Sequence, residues 1–147
     1  MPTDIGTLES LDIFEGLTHE ELEQIAPLMN SARVTEGEVL TRRNDPAHTF
    51  FVVLSGNFML YFKEGRAFTL HERGDIMGWS TVVPPFKYRG TSVALTDGEI
   101  LTMSAQEFLR LIQENSALSD KIMRKINTVV EERMPFVTGG QKENKGN

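Results

Sequence analysis

The sequence predicts a mainly β domain, a sandwich or barrel, with helices at both ends. Three observations carry that expectation. Between Ala32 and Met103, short runs rich in β-branched and aromatic residues alternate with Gly, Asn, Asp and Pro punctuation, the pattern of strands that fold back on one another. Ahead of this stretch, Thr18-His19-Glu20-Glu21 reads as a capping box that opens a helix. Behind it, Ser104-Ala105-Gln106-Glu107 repeats the device.

Taken in order, residues 1–17 place Leu8, Leu11, Ile13, Phe14 and Leu17 where they can pack on the domain as a short turn or helix. A first helix is expected over about 18–30, with Leu22, Ile25, Leu28 and Met29 at helical spacing. Strand segments follow at 32–35, 39–42, 49–54, 58–62, 67–70 and 90–95, divided by turn signals such as Ser55-Gly56-Asn57 and Arg73-Gly74-Asp75. The second capping box opens a helix that carries Phe108, Leu111 and Ile112 on one face. Asn115 or Ser116 then starts a last helix, about 116–133, whose seam of Leu118, Ile122, Ile126 and Val129 can face either the barrel or a second copy of the chain. Pro135 is expected to stop that helix, leaving 134–147, with its polar "GGQKENKGN", as a disordered tail. The main domain is thus placed at 18–133.

Bulk properties narrow the function. A chain of 147 residues with 39% apolar content can bury one core without disulfides or metal. A formal charge of −6 leaves no cationic surplus for a phosphate backbone, which argues against direct nucleic-acid binding. Cysteine is absent, which removes thiol nucleophiles and suits a reducing compartment. No apolar stretch is long enough to span a bilayer and the N-terminus carries no leader pattern. The expectation is a cytoplasmic protein that is not attached to a membrane. His19, His48 and His71 share no ligand spacing, so no metal site and no enzyme active site is expected.

One stretch carries chemistry. In "GDIMGWSTVVPPFKYRGTSVAL", residues 74–95, Gly78 opens about one turn of helix at Trp79-Ser80 before Pro84 and Pro85 forbid more. Unpaired backbone N–H groups there favour an anion, and Arg89 returns toward them as a guanidinium clamp. The alternative is that the glycines merely turn the chain while Arg89 meets a surface carboxylate. Trp79 can stack on a planar ligand or plug the core, and Ser80 can donate to an anion or to its own turn.

In this order and spacing, "LDIFEGLTHEELEQIAPLM", "EGEVLTRRNDPAHTFFVVLSGNFMLYF", "ERGDIMGWS" and "YRGTSVAL" resemble the cyclic nucleotide-binding domain, the effector module of catabolite activator proteins and of protein kinase A regulatory subunits. The resemblance covers about residues 7–133. It implies a β-roll (double-stranded β-helix or jelly roll) of about eight strands, an N-terminal helix and two C-terminal helices. It also implies ligand contacts at Gly78, Trp79, Ser80, Arg89, Gly90 and Thr91, with Arg89 on the phosphate. The family's glutamate, which accepts a hydrogen bond from the ribose, is replaced by Trp79, and an indole N–H only donates. The resemblance implies that the phosphate geometry is retained, whereas Trp79 puts ribose recognition in question. Two functions stay open: a stand-alone sensor for cyclic AMP, cyclic GMP or another phosphate-bearing small ligand, signalling through its C-terminal helices to a protein partner, and a family member that binds no nucleotide and acts as an interaction scaffold. The resemblance also favours a homodimer through residues 116–133.

Overall fold

The structure, a computed structural model, describes residues 3–139. Eight strands form two antiparallel four-stranded sheets. One has the order β1 (Asn30–Val34), β8 (Gly98–Ser104), β3 (Thr49–Ser55), β6 (Ile76–Met77); the other has β2 (Val39–Thr41), β7 (Thr91–Ala94), β4 (Phe58–Tyr61), β5 (Ala67–Leu70). Helices α1 (Ile5–Glu9) and α2 (His19–Ile25) precede the sheets, while α3 (Ala105–Glu114) and α4 (Ser116–Thr138) follow them. The β-roll with an N-terminal helix and two C-terminal helices is the expected fold.

Two apolar cores result, and β3 belongs to both. Alternation along a strand sends successive side chains to opposite faces. Phe51 and Val53 therefore enter the roll with Phe58, Leu60, Met77 and Ile100, whereas Phe50 and Val52 meet the helices through Phe108, Leu118 and Ile122. The rings of Phe50 and Phe108 lie 4.8 Å apart.

The helix caps follow the sequence. Thr18 Oγ1 accepts from the Glu21 amide at 3.1 Å and Glu21 Oε1 accepts from the Thr18 amide at 2.8 Å, closing the first capping box. At α3 the Ser104 hydroxyl accepts from the Glu107 amide at 3.2 Å, and Asn115 Oδ1 caps α4 through the Leu118 amide at 3.1 Å. The first helix is shorter than expected: it gives way after Ile25 to a 3-10 turn, Ala26–Leu28, because Pro27 cannot donate the next helical bond.

One expectation for the last helix is corrected. It does not stop near Arg133 but runs through Pro135 to Thr138. A proline inside a helix costs about 3 kcal/mol, which tertiary contacts offset here. Phe136 packs on Phe68 at 4.6 Å and on Phe62 at 6.4 Å, and Arg66 donates to the carbonyls of Phe136 at 2.6 Å and Val137 at 3.2 Å. The expected tail therefore begins as helix, and its residues from 140 onward lie outside the described residues. Leu118, Ile122 and Ile126 of the seam are fully buried against this chain's own N-terminal segment and sheet, while Val129 is partly buried. Ion pairs fix the same packing: Lys121 meets Glu21 at 2.8 Å, and Lys125 meets Glu15 at 2.7 Å. No helix among the described residues is long and apolar enough to cross a membrane.

Candidate functional site

The stretch singled out in the sequence closes one mouth of the roll. Gly78 takes a left-handed conformation with φ 79° and starts a single 3-10 turn, Trp79–Thr81. A Cβ on Gly78 would lie 2.7 Å from the Thr49 carbonyl oxygen, so only glycine lets the turn cross β3 this closely. The turn is tied to itself, with the Thr81 amide and hydroxyl donating to the Gly78 carbonyl at 3.1 and 3.0 Å.

The returning segment is held from the other side. Tyr88 Oη donates to the Thr49 carbonyl at 2.8 Å and accepts from the Thr49 amide at 3.0 Å. Burial raises the Tyr88 pKa against the lowering effect of these bonds, so the phenol stays protonated. Gly90 brings β7 against β4, since a Cβ there would sit 2.9 Å from both the Phe62 ring and the Tyr61 carbonyl oxygen. Below it, Thr41 Oγ1 donates to the Gly90 carbonyl at 3.0 Å, lies 2.8 Å from Ser92 Oγ and accepts from the Ser92 amide at 3.0 Å.

Gly78, Trp79, Ser80, Arg89 and Gly90 thereby line one cavity. Thr91 does not; it accepts from the Arg43 amide at 2.9 Å instead. Trp79 belongs to the helix-side core and only one edge of its environment is the cavity. Ser80 is buried, and its hydroxyl makes no hydrogen bond among the described residues. The same is true of the Arg89 guanidinium, which has neither a hydrogen bond nor an ion pair there. The surface-carboxylate alternative for Arg89 is thus not what the structure has.

Sequence reasoning missed the cavity's most consequential wall. Arg133, from α4, is 7% exposed and lines the same cavity. Its Nη1 is buried with no hydrogen-bond partner, its guanidinium stands 5.5 Å from the Phe68 ring centroid, and burial lowers its pKa to about 10 in spite of Asp75 and Glu132. With Arg133 in place the cavity measures about 20 Å³, room for about one water. On its other side Arg133 also lines a cleft of about 430 Å³, with Asp75, Thr128 and Glu132. The Arg133 side chain therefore borders both the small cavity and a cleft of ligand size. Among the described residues no cluster of three His, Asp or Glu side chains could hold a metal ion.

Comparison with known proteins agrees with this geometry. The model of the cyclic nucleotide-binding domain matches residues 32–115. A cAMP-dependent protein kinase regulatory subunit of Colletotrichum orbiculare is 27% identical over 135 residues, 88% of this chain and 34% of the relative. The chain spans about a third of that relative's length. Among solved structures, a candidate cyclic nucleotide-binding protein of Geobacter metallireducens superposes with a TM-score of 0.81 at 21% identity, covering 89% of this chain and 98% of the other. The sensor domain of the transcriptional regulator DNR from Pseudomonas aeruginosa gives 0.70 at 22%, covering 90% and 96%. At these identities the structural likeness is one of fold.

Proposed function

Because the chain belongs to the cyclic nucleotide-binding domain family, we propose that it is a cytoplasmic regulatory module in which a phosphate-bearing small ligand and the end of α4 compete for the mouth of the roll. One observation carries this reading. The cavity joins the Gly78-Trp79-Ser80 turn and an unpartnered Arg89 to Arg133 of the last helix, so a ligand that fills the cavity acts on a side chain that α4 carries. Arg66, which holds the Phe136 and Val137 carbonyls, is the latch a ligand must work against. A ligand binding only the displaced state shifts the population by its differential affinity for the two states, and the freed helix end passes the change to a protein partner.

Trp79 is the sole tryptophan and touches the cavity, which supplies an internal probe. Titrating cyclic AMP, cyclic GMP and 5′-monophosphates should change Trp79 fluorescence and speed amide exchange over residues 131–139. Arg89→Met should remove both responses. The volume of about 20 Å³ favours the scaffold as a second reading; a folded wild-type protein that answers none of these ligands establishes it.

A further inference from the structure

Resting on the proposed ligand site, a further step concerns the charge of what fills it. We propose that Arg89 and Arg133 together form a site for a compact dianion, such as a phosphomonoester or a dicarboxylate, in preference to the single charge of a cyclic phosphodiester. Both guanidiniums line the one cavity. Neither has an ion-pair or hydrogen-bond partner among the described residues, and Arg133 Nη1 is sealed from water. A buried charge such as Arg133 is ordinarily paired, and with the half-buried Arg89 beside it the void is complementary to two negative charges. A phosphomonoester carries about −1.5 to −2 near neutral pH, whereas a cyclic phosphodiester has only one ionisable oxygen to offer.

The surrounding groups agree. Thr41, Ser92 and Tyr88 spend their hydroxyls on one another or on the backbone, which leaves Ser80 as a neutral hydroxyl donor beside the arginines with no hydrogen bond among the described residues. Arg133 provides the room as well as the charge. It stands on the boundary with the cleft that holds Asp75 and Glu132, so its guanidinium can withdraw toward those carboxylates as a ligand enters and remain within reach of it. The indole of Trp79 leaves the cavity without a carboxylate acceptor for a sugar hydroxyl, which fits a ligand recognised by charge.

The test is titration calorimetry with the wild-type chain at constant ionic strength and pH 7.5, using AMP, inorganic phosphate, succinate and cyclic AMP. AMP or phosphate should bind at least about tenfold more tightly than cyclic AMP, and Arg133→Met should weaken the dianions by about ten- to a hundredfold, the range of charge-assisted hydrogen bonds. Arg133→Lys, which keeps the charge without the planar fork, should recover part of the loss. Succinate binding in place of the phosphates would assign the site to dicarboxylates. Cyclic AMP binding that depends on Arg89 and is unchanged or improved by Arg133→Met overturns the dianion site and leaves the regulatory reading intact. Dianion affinity that survives Arg133→Met also overturns it. Absence of binding by every anion, with a folded wild type confirmed by circular dichroism, overturns both.

Discussion

Replacing Arg133 by methionine should stabilise the unliganded domain, and the size of the gain follows from the burial of the guanidinium. Burial holds its pKa at about 10, well below the ordinary guanidinium range; at about 1.4 kcal/mol for each tenfold, this is on the order of 3 kcal/mol spent on keeping the charge away from water. Methionine keeps most of the stem packing and gives up the contact with Phe68, worth about 0.5–2 kcal/mol. A net gain of about 1–3 kcal/mol remains, or roughly 3–10 °C in Tm for a domain of this size. The charged form is the one that burial disfavours, so the cost is fully present below the folded pKa of about 10 and fades only as pH rises above it toward the unfolded value. The Tm difference between variant and wild type should therefore be flat across neutral pH. Differential scanning calorimetry in a chloride buffer free of phosphate and sulfate is the assay. An Arg133→Met protein that melts below the wild type refutes the reasoning, because the guanidinium would then be a satisfied structural group.

Gly78→Ala should lower stability by roughly 1–3 kcal/mol in urea titrations, the range for a side chain forced into positive φ, since its Cβ also collides with the Thr49 carbonyl. Ile122→Asp should abolish folding, as read by circular dichroism, because Ile122 is fully buried within the chain; a folded variant altered only in oligomeric mass would instead assign the seam to a dimer contact. Lys121→Met should move acid unfolding to higher pH. Glu21 is held below the usual carboxylate range first by Lys121 and then by the Thr18 amide, so its contribution is present above the unfolded pKa and is lost as pH falls through the folded one. An unchanged acid midpoint would show that the pair contributes nothing.

Much of the fold could be read because its elements are individually patterned. The capping signals at Thr18 and Ser104 lie where α2 and α3 begin, the reciprocal box closing at Thr18 and the hydroxyl alone capping at Ser104, and the turn residues divide the strands almost where the sheets do. What escaped was set by tertiary surroundings. Ile76-Met77 is too short to show a period, and it becomes a strand only by pairing with Val52 and Phe51. The end of α4 was misjudged because a local rule about proline met a stronger set of contacts at Phe136 and Arg66. The seam of α4 was seen correctly as apolar, but periodicity alone does not distinguish a face that covers its own domain from one that meets another copy.

Arg133 shows the limit most clearly, and also a signal that could have found it. From Leu118 the seam steps to Ile122, Ile126 and Val129, and the next step of four arrives at Arg133. A cation at a core-facing position is normally avoided, so its presence there is either an error in the helix register or a group held for a ligand. The expectation that the helix ended at that residue hid the choice, since a charged last turn is unremarkable. Once α4 continues to Thr138, Arg133 lies mid-helix on the buried face with no fraying end to carry it into water. Helix length thus decides how the guanidinium is read: at a frayed end it would be solvated, whereas on a continuous α4 it is sealed at the mouth of the roll beside Arg89. In that position its burial is unfavourable, and relief of it by an entering anion or by movement of the helix end is the link on which the proposed function rests.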